Sequence, residues 1–173
     1  METYDSNDRA HWVHTAVSRY ERSLVRYTSQ ITEDVERARD VVQDTFLRLC
    51  KQDPEKLDDH LAEWLYTVCR NRALDVREKE KRMKTMTAQQ HAAQQGREAS
   101  QAIAAEQSEM AGRVLEFVGT LSENQQEVVR LKFQNGLSYK EISAITQLSV
   151  SNVGYLIHTA VKKLRQELRQ EWA

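Results

Sequence analysis

Apolar residues recur along the chain at spacings of three and four, and no segment alternates convincingly at a spacing of two. Such a period puts side chains on one face of a helix and predicts an all-α protein. One stripe, Val13, Val17, Tyr20, Leu24 and Tyr27, predicts a helix over about residues 11–30. A second runs through Val35, Ala38, Val41, Val42, Phe46 and Leu49, and a third through Leu57, Leu61, Trp64, Leu65, Val68 and Val76. Between these two lies KQDPEK, which holds the one proline of the chain. Proline removes a backbone donor and fixes φ, so a turn is expected there.

The pattern lapses from Lys84 to Gly112, where Ala and Gln supply 14 of 29 residues and large apolar anchors almost vanish. Too little apolar surface remains for a core, so residues 84–112 are expected to be a flexible linker. It separates two small helical domains, residues 1–83 and 113–173. Each is small enough to be marginally stable alone, which suits modules that dock onto something larger.

Four helices are expected in the second domain. SENQ at Ser122–Gln125 and SYKE at Ser138–Glu141 are capping boxes, in which hydroxyl and third-position side chain satisfy each other's free backbone amides. Gly136 closes the helix between them. Farther on, Ile142, Ile145 and Leu148, then Val150, Val153, Ile157, Val161 and Leu164, bury one face of each of two successive helices. Ser151, Asn152, Tyr155, His158, Thr159 and Lys162 fall on the opposite face. In a helix-turn-helix that exposed face enters the major groove. A plain helical hairpin has the same apolar period, so the spacing alone leaves both open.

Composition removes several kinds of chemistry. No apolar run approaches the ~20 residues that span a bilayer, and METYDSNDRAHWVH lacks a secretory apolar region, so a cytoplasmic protein without membrane insertion is expected. Cys50 and Cys69 form no CxxC and lie beside apolar positions, so both are expected as buried free thiols. His11 and His14 share a helix face without a third ligand; neither a metal nor another cofactor is expected. With no phosphate loop, nucleophile elbow or metal set, the chain does not read as an enzyme. The net charge of −1 conceals a separation: residues 31–63 hold five basic and ten acidic side chains, residues 70–84 seven basic and three acidic. Charge runs often form solvated faces. Separation by helix also suits an acidic dock for a basic protein beside a basic dock for nucleic acid.

The stretch LSENQQEVVRLKFQNGLSYKEISAITQLSVSNVGYLIHTAVKKLR resembles region 4 of bacterial sigma factors of the extracytoplasmic-function (ECF) type, the module that reads the −35 promoter element. Upstream, RARDVVQDTFLRLC followed by HLAEWLYTVCRNRALDVREKEKR resembles region 2 of that family, which binds core RNA polymerase and opens the −10 element. The resemblance implies a helix docking on the clamp helices of the polymerase's largest subunit through Asp40, Gln43, Asp44, Phe46 and Leu47. Arg37 and Arg39 stand where relatives commonly have acids, and phosphorylation of Thr45 would restore negative charge. At the melted −10 element it implies His60, Arg70, Asn71, Arg72, Arg77, Lys79, Lys81 and Arg82, with Trp64 expected in the core rather than as a stacking platform. At the −35 duplex it implies Ser151, Asn152, Tyr155, His158 and Thr159, with Lys162 and Lys163 on phosphates. Relatives often place arginines here, whereas residues 149–161 have neither Lys nor Arg. Readout is then expected from amide, hydroxyl and thymine-methyl contacts. Gly154, also at a reading position, admits two accounts: close helix packing or close approach of DNA.

Taken together, the expected partners are core RNA polymerase through its clamp helices and flap, promoter DNA, and an anti-sigma factor or other regulator. The function implied is that of an alternative sigma factor. Two alternatives stay open on the sequence: a helical DNA-binding regulator acting without core polymerase, and a non-DNA-binding interaction protein that titrates sigma regulators.

Overall fold

The computed structural model describes residues 6–87 and 109–171. Two compact units divide the chain, residues 1–100 and 101–173. Most of the expected linker, residues 88–108, lies outside the described residues; Lys84–Thr87 prolong the preceding helix and Glu109–Gly112 open the next. The elements of the first unit are α1 (Ser6–Thr32), α2 (Val35–Leu49), α3 (Pro54–Leu57), a 3₁₀ turn (Asp58–His60) and α4 (Leu61–Thr87). Those of the second are α5 (Glu109–Thr120), α6 (Glu123–Phe133), α7 (Tyr139–Thr146) and α8 (Val150–Glu171). Strands are absent among the described residues.

Two residues reverse the chain between α1 and α2. Glu33 takes the left-handed conformation (φ 57°), and the Asp34 carboxylate accepts the Arg37 backbone N–H at 3.1 Å, capping one of the donors a helix start leaves open. Helices α1, α2 and α4 then pack against one another. Their shared core holds Leu24, Tyr27 and Thr28, then Ala38, Val41, Val42, Thr45 and Leu49, then Leu65, Tyr66, Cys69 and Ala73. The rings of Tyr27 and Tyr66 meet edge to face, centroids 5.3 Å apart, a favoured arrangement for paired quadrupoles.

The buried face of α4 differs from the stripe read in the sequence. Leu61, Trp64, Val68 and Val76 are only half-buried, and the face turned inward is Leu65, Cys69 and Ala73 with Tyr66. The inward face mixes large and small side chains, Leu65 and Tyr66 with Cys69 and Ala73, while Leu61, Trp64, Val68 and Val76 flank it. Trp64, expected in the core, therefore lies at its edge. Cys50 is exposed rather than buried, because α2 ends at Leu49 and Cys50 is its C-cap; Cys69 is buried as expected.

In the second unit both capping boxes form, at Ser122 with Gln125 and at Ser138 with Glu141. Gly136 follows α6 with φ +69°, a conformation in which a Cβ is strained. Helix α7 ends on Gln147, also left-handed (φ 63°). Side chains tie the turn that follows: Ser143 Oγ donates to the Leu148 carbonyl at 2.6 Å, and Ser149 Oγ accepts the Asn152 N–H at 3.2 Å. Val128, Leu131, Ile142, Ile145, Val153, Ile157 and Ala160 fill the core, each large aliphatic contributing about 1.5–3 kcal/mol when fully buried. Val150, assigned to the apolar face of α8, is instead 47% exposed at the helix's first position.

Candidate polymerase and nucleic-acid interfaces

On α2 the outward face follows from the inward one. With Ala38, Val41, Val42, Thr45 and Leu49 buried, Glu36, Arg39, Asp40, Gln43 and Leu47 point to solvent. Leu47 is 60% exposed, a large apolar group with nothing of its own unit over it. Phe46, expected beside it on the docking face, is buried and belongs to the core. Asp40 is exposed, whereas Asp44 is half-buried between two cations, Arg48 Nε at 3.1 Å and Arg72 Nε of α4 at 3.8 Å. The two arginines that stand where the family resemblance leads one to expect acids are both in ion pairs. Arg39 pairs with Glu36 at 2.6 Å, and Arg37 reaches across to Glu80 of α4 and also lies near Asp34. A cation at position 37 thus ties α2 to α4, a role no sequence spacing announced.

Thr45 does not fit the phosphorylation reading. It is fully buried; its hydroxyl donates to the Val41 carbonyl at 2.9 Å and accepts the Cys69 thiol at 3.3 Å. A kinase has no access to it, and a phosphate there would be a charge in the core. Burial pushes the Cys69 thiol up to about 11, with the hydrogen bond to Thr45 opposing the shift.

The cations of α4 do not form one face. At about 100° per residue, Arg70, Arg77, Lys81 and Lys84 line one flank, whereas Arg72 and Lys79 fall on the opposite flank. Between the flanks, on the ridge farthest from the core, stand Asn71, Asp75, Glu78 and Arg82, with Arg82 paired to Glu78 at 3.3 Å. Asn71 is exposed on that ridge. His60 is exposed at the end of the 3₁₀ turn that leads into α4.

On α8 the exposed stripe is Ser151, Tyr155, His158 and Lys162, flanked by Asn152 and Lys163. Tyr155 is 66% exposed. Thr159 differs from the others. Its hydroxyl accepts from Gln125 Nε2 at 3.1 Å, and the carbonyls of Tyr155 and Leu156 lie 2.9 and 3.0 Å away as acceptors for its proton. Thr159 is therefore half-buried and turned toward α6, an anchor of α8 more than a group presented to DNA. Gln125 is buried, and its amide serves two ends: Oε1 completes the capping box at Ser122, while Nε2 holds α8. SENQ revealed the first use. The second joins residues 34 apart in sequence and has no local signal.

Residues 16–83 match the family described as Sigma-70 region 2, and residues 111–164 match Sigma-70, region 4. Among curated proteins the chain is similar to the ECF RNA polymerase sigma factor SigL of Mycobacterium tuberculosis, 29% identical over 152 residues that cover 85% of this chain and 83% of the relative. It is also similar to the ECF RNA polymerase sigma factor SigM of Bacillus subtilis, 26% identical over 152 residues covering 84% and 88%. The sigma factor RpoE of Bartonella quintana, solved in complex with the anti-sigma factor NepR, shares the fold, with a TM-score of 0.64 at 19% identity over 90% of this chain and 96% of that one. With both regions matched in order on a two-unit helical fold, the chain belongs to the sigma-70 family and is a sigma factor of the ECF type. Its work is promoter recognition in transcription initiation, with core RNA polymerase and promoter DNA as partners. No helix among the described residues is long and apolar enough to cross a membrane.

Proposed function

We propose that the outward face of α2 docks on core polymerase through Asp40, Gln43, Asp44 and Leu47, combining an acidic edge with one exposed apolar anchor. The cationic flank of α4, Arg70, Arg77 and Lys81, follows the backbone of the displaced strand, and Asn71 on the neighbouring ridge takes the edge of an unstacked base. His60, Lys79 and Arg82 lie farther out as secondary phosphate contacts, and Arg72 serves DNA only when Asp44 releases it. In the second unit α8 enters the major groove, with Ser151, Asn152, Tyr155 and His158 toward base edges and Lys162 and Lys163 on phosphates. The observation that carries this reading is the pairing, within one chain, of an exposed polar ridge beside a cationic flank on α4 with an exposed reading face on α8.

The chain contributes binding, and bond formation remains with the polymerase. It acts in the cytoplasm, where polymerase and chromosome meet, and an anti-sigma factor covering α2 or α8 would silence it. Residues 1–83 and 113–173 act as separate modules, with residues 84–112 spanning the distance between promoter elements. Affinity for promoter DNA is expected to fall as salt rises, in proportion to the phosphates neutralised.

Run-off transcription with core polymerase on a random promoter library tests this reading. Transcripts from a defined promoter class support it; DNA retention without transcripts indicates a regulator independent of polymerase; neither, with tight binding to a sigma regulator, indicates a titrating protein. Within the first outcome, Asn71→Ala is expected to slow promoter opening about tenfold, the ~1.4 kcal/mol of one lost polar contact, and to leave closed-complex affinity within twofold. Equal losses in permanganate footprinting and in gel shift would remove Asn71 from the melted strand.

A further inference from the structure

Gly154 stands inside α8, where glycine is less favourable than alanine. Its backbone gives no reason for glycine, since its φ is not positive. Packing gives none either. A Cβ built at Gly154 would meet only the Tyr139 ring, Cε2 at 3.6 Å and Cδ2 at 3.8 Å, ordinary van der Waals distances. Of the two accounts open on the sequence, close helix packing is thereby removed: alanine would fit and would stabilise the unit.

The space left at Gly154 has a definite chemistry. Its floor is the α8 backbone, and its wall is the two ring carbons of Tyr139. That ring is held in place from α6, because Lys132 Nζ lies 5.3 Å from its centroid and donates to the Leu137 carbonyl at 3.3 Å. Ser151 and His158, exposed members of the reading stripe, stand one turn to either side of Gly154 along α8. Gly154 thus presents bare backbone beside aromatic carbon at the edge of the face assigned to the major groove, where an apolar group can come closer to α8 than it could over a side chain.

We infer that Gly154 and Tyr139 form a specificity-determining seat for the C5-methyl of a thymine in the −35 element. The methyl is the apolar feature that the major groove presents, and the two atoms nearest a Cβ at Gly154 are both ring carbons. The inference rests on the proposed entry of α8 into the groove. The seat supplies sequence selectivity within a stretch, residues 149–161, that has neither Lys nor Arg.

The test uses holoenzyme reconstituted from the full chain and core polymerase. Duplexes selected from a library randomised at −35 are remade with deoxyuridine replacing each thymine in turn, which deletes only the methyl. One position is expected to lose about fourfold in affinity, the worth of one buried methyl-sized group, and to show no such loss with Gly154→Ala. The same variant is expected to unfold a few degrees higher than the parent chain. A selected element without thymine, thymines that all tolerate uracil, a uracil penalty unchanged in Gly154→Ala, or a lowered melting point would each overturn the seat. Failure of the parent reading looks different: affinity then shows no −35 preference, or a preference indifferent to Asn152→Ala and Tyr155→Ala together.

Discussion

In the first unit, side chains proposed to face partners also hold the helices together; in the second, the two tasks are divided. Asp44, on the face of α2 proposed to dock, pairs with Arg72 of α4, and Arg37 ties α2 to Glu80. On α8, by contrast, the anchors are the neutral bond from Gln125 to Thr159 and the apolar face of Val153, Ile157 and Ala160, while Tyr155 and His158 stand clear. Charge shared between structure and docking responds to salt and to any partner that competes for it. A reading face without structural duties can change its residues, and hence its promoter, without disturbing the fold.

The largest break expected in this comparison comes from Thr45→Asp. A carboxylate in place of a fully buried hydroxyl faces the Cys69 thiol and the Val41 carbonyl, and is expected to destabilise the first unit by about 3–5 kcal/mol. Thermal unfolding should show that unit melting early and polymerase binding lost with it. Retained stability and binding would show that the hydroxyl can reach solvent. Thr45→Val removes the bond without adding charge and is expected to be milder by several-fold, since only the weak thiol donor loses its acceptor.

Gln125→Ala probes the second unit at the one residue that caps α6 and holds α8. Loss of the capping box costs about 1 kcal/mol, and the bond to Thr159 adds about as much again. The reading helix loses its register, so −35 affinity should fall about tenfold while polymerase affinity in the absence of promoter stays the same. Gln125→Glu keeps the acceptor for Ser122 and removes the donor to Thr159. Should that variant match the parent in both stability and −35 affinity, the link to α8 has no weight.

The thiols separate the two ends of α2's surroundings. Cys50 is expected to react rapidly with a thiol reagent in the native protein, and Cys69 only on unfolding. Because burial raises the folded Cys69 thiol from 9.0 to about 11, the unfolded chain releases its proton first. Stability from this group is complete below pH 9 and declines as pH rises from 9 to 11. Cys69→Ala should flatten that slope in chemical denaturation; an unchanged slope would assign it to other groups.

Much of this arrangement was legible in the chain, and the reason differs by element. Capping boxes at Ser122 and Ser138, the glycine stop at 136 and the span of α2 from Val35 to Leu49 are set by residues within a few positions of one another, so local chemistry suffices. The buried face of α4 is not set by apolar spacing alone: contact with both α1 and α2 turns Leu65, Tyr66, Cys69 and Ala73 inward and leaves Trp64 and Val68 at the edge. Phe46 and Thr45 turn inward, which a family pattern does not reveal, because it names positions but not which way each side chain points. Gln125 with Thr159 and Arg37 with Glu80 join residues far apart in sequence, and only the packed helices bring them together.

The smallest expected effect sharpens the comparison most directly, because it asks whether the tie from α2 to α4 matters to docking. Arg37 and Glu80 are 51% and 21% exposed, and a pair so placed is worth about 1 kcal/mol or less. Arg37→Glu places an acid on the face proposed to dock but sets it against Glu80. Two effects then oppose: more favourable docking on basic clamp helices, and repulsion between α2 and α4. Adding Glu80→Arg removes the repulsion and keeps the acid. The double variant is therefore expected to bind core polymerase a few-fold more tightly than the parent at low salt, with the gain vanishing at high salt and stability unchanged. If the double variant binds no better than the parent, the charge at position 37 faces α4 alone, and docking rests on Asp40, Gln43 and Leu47.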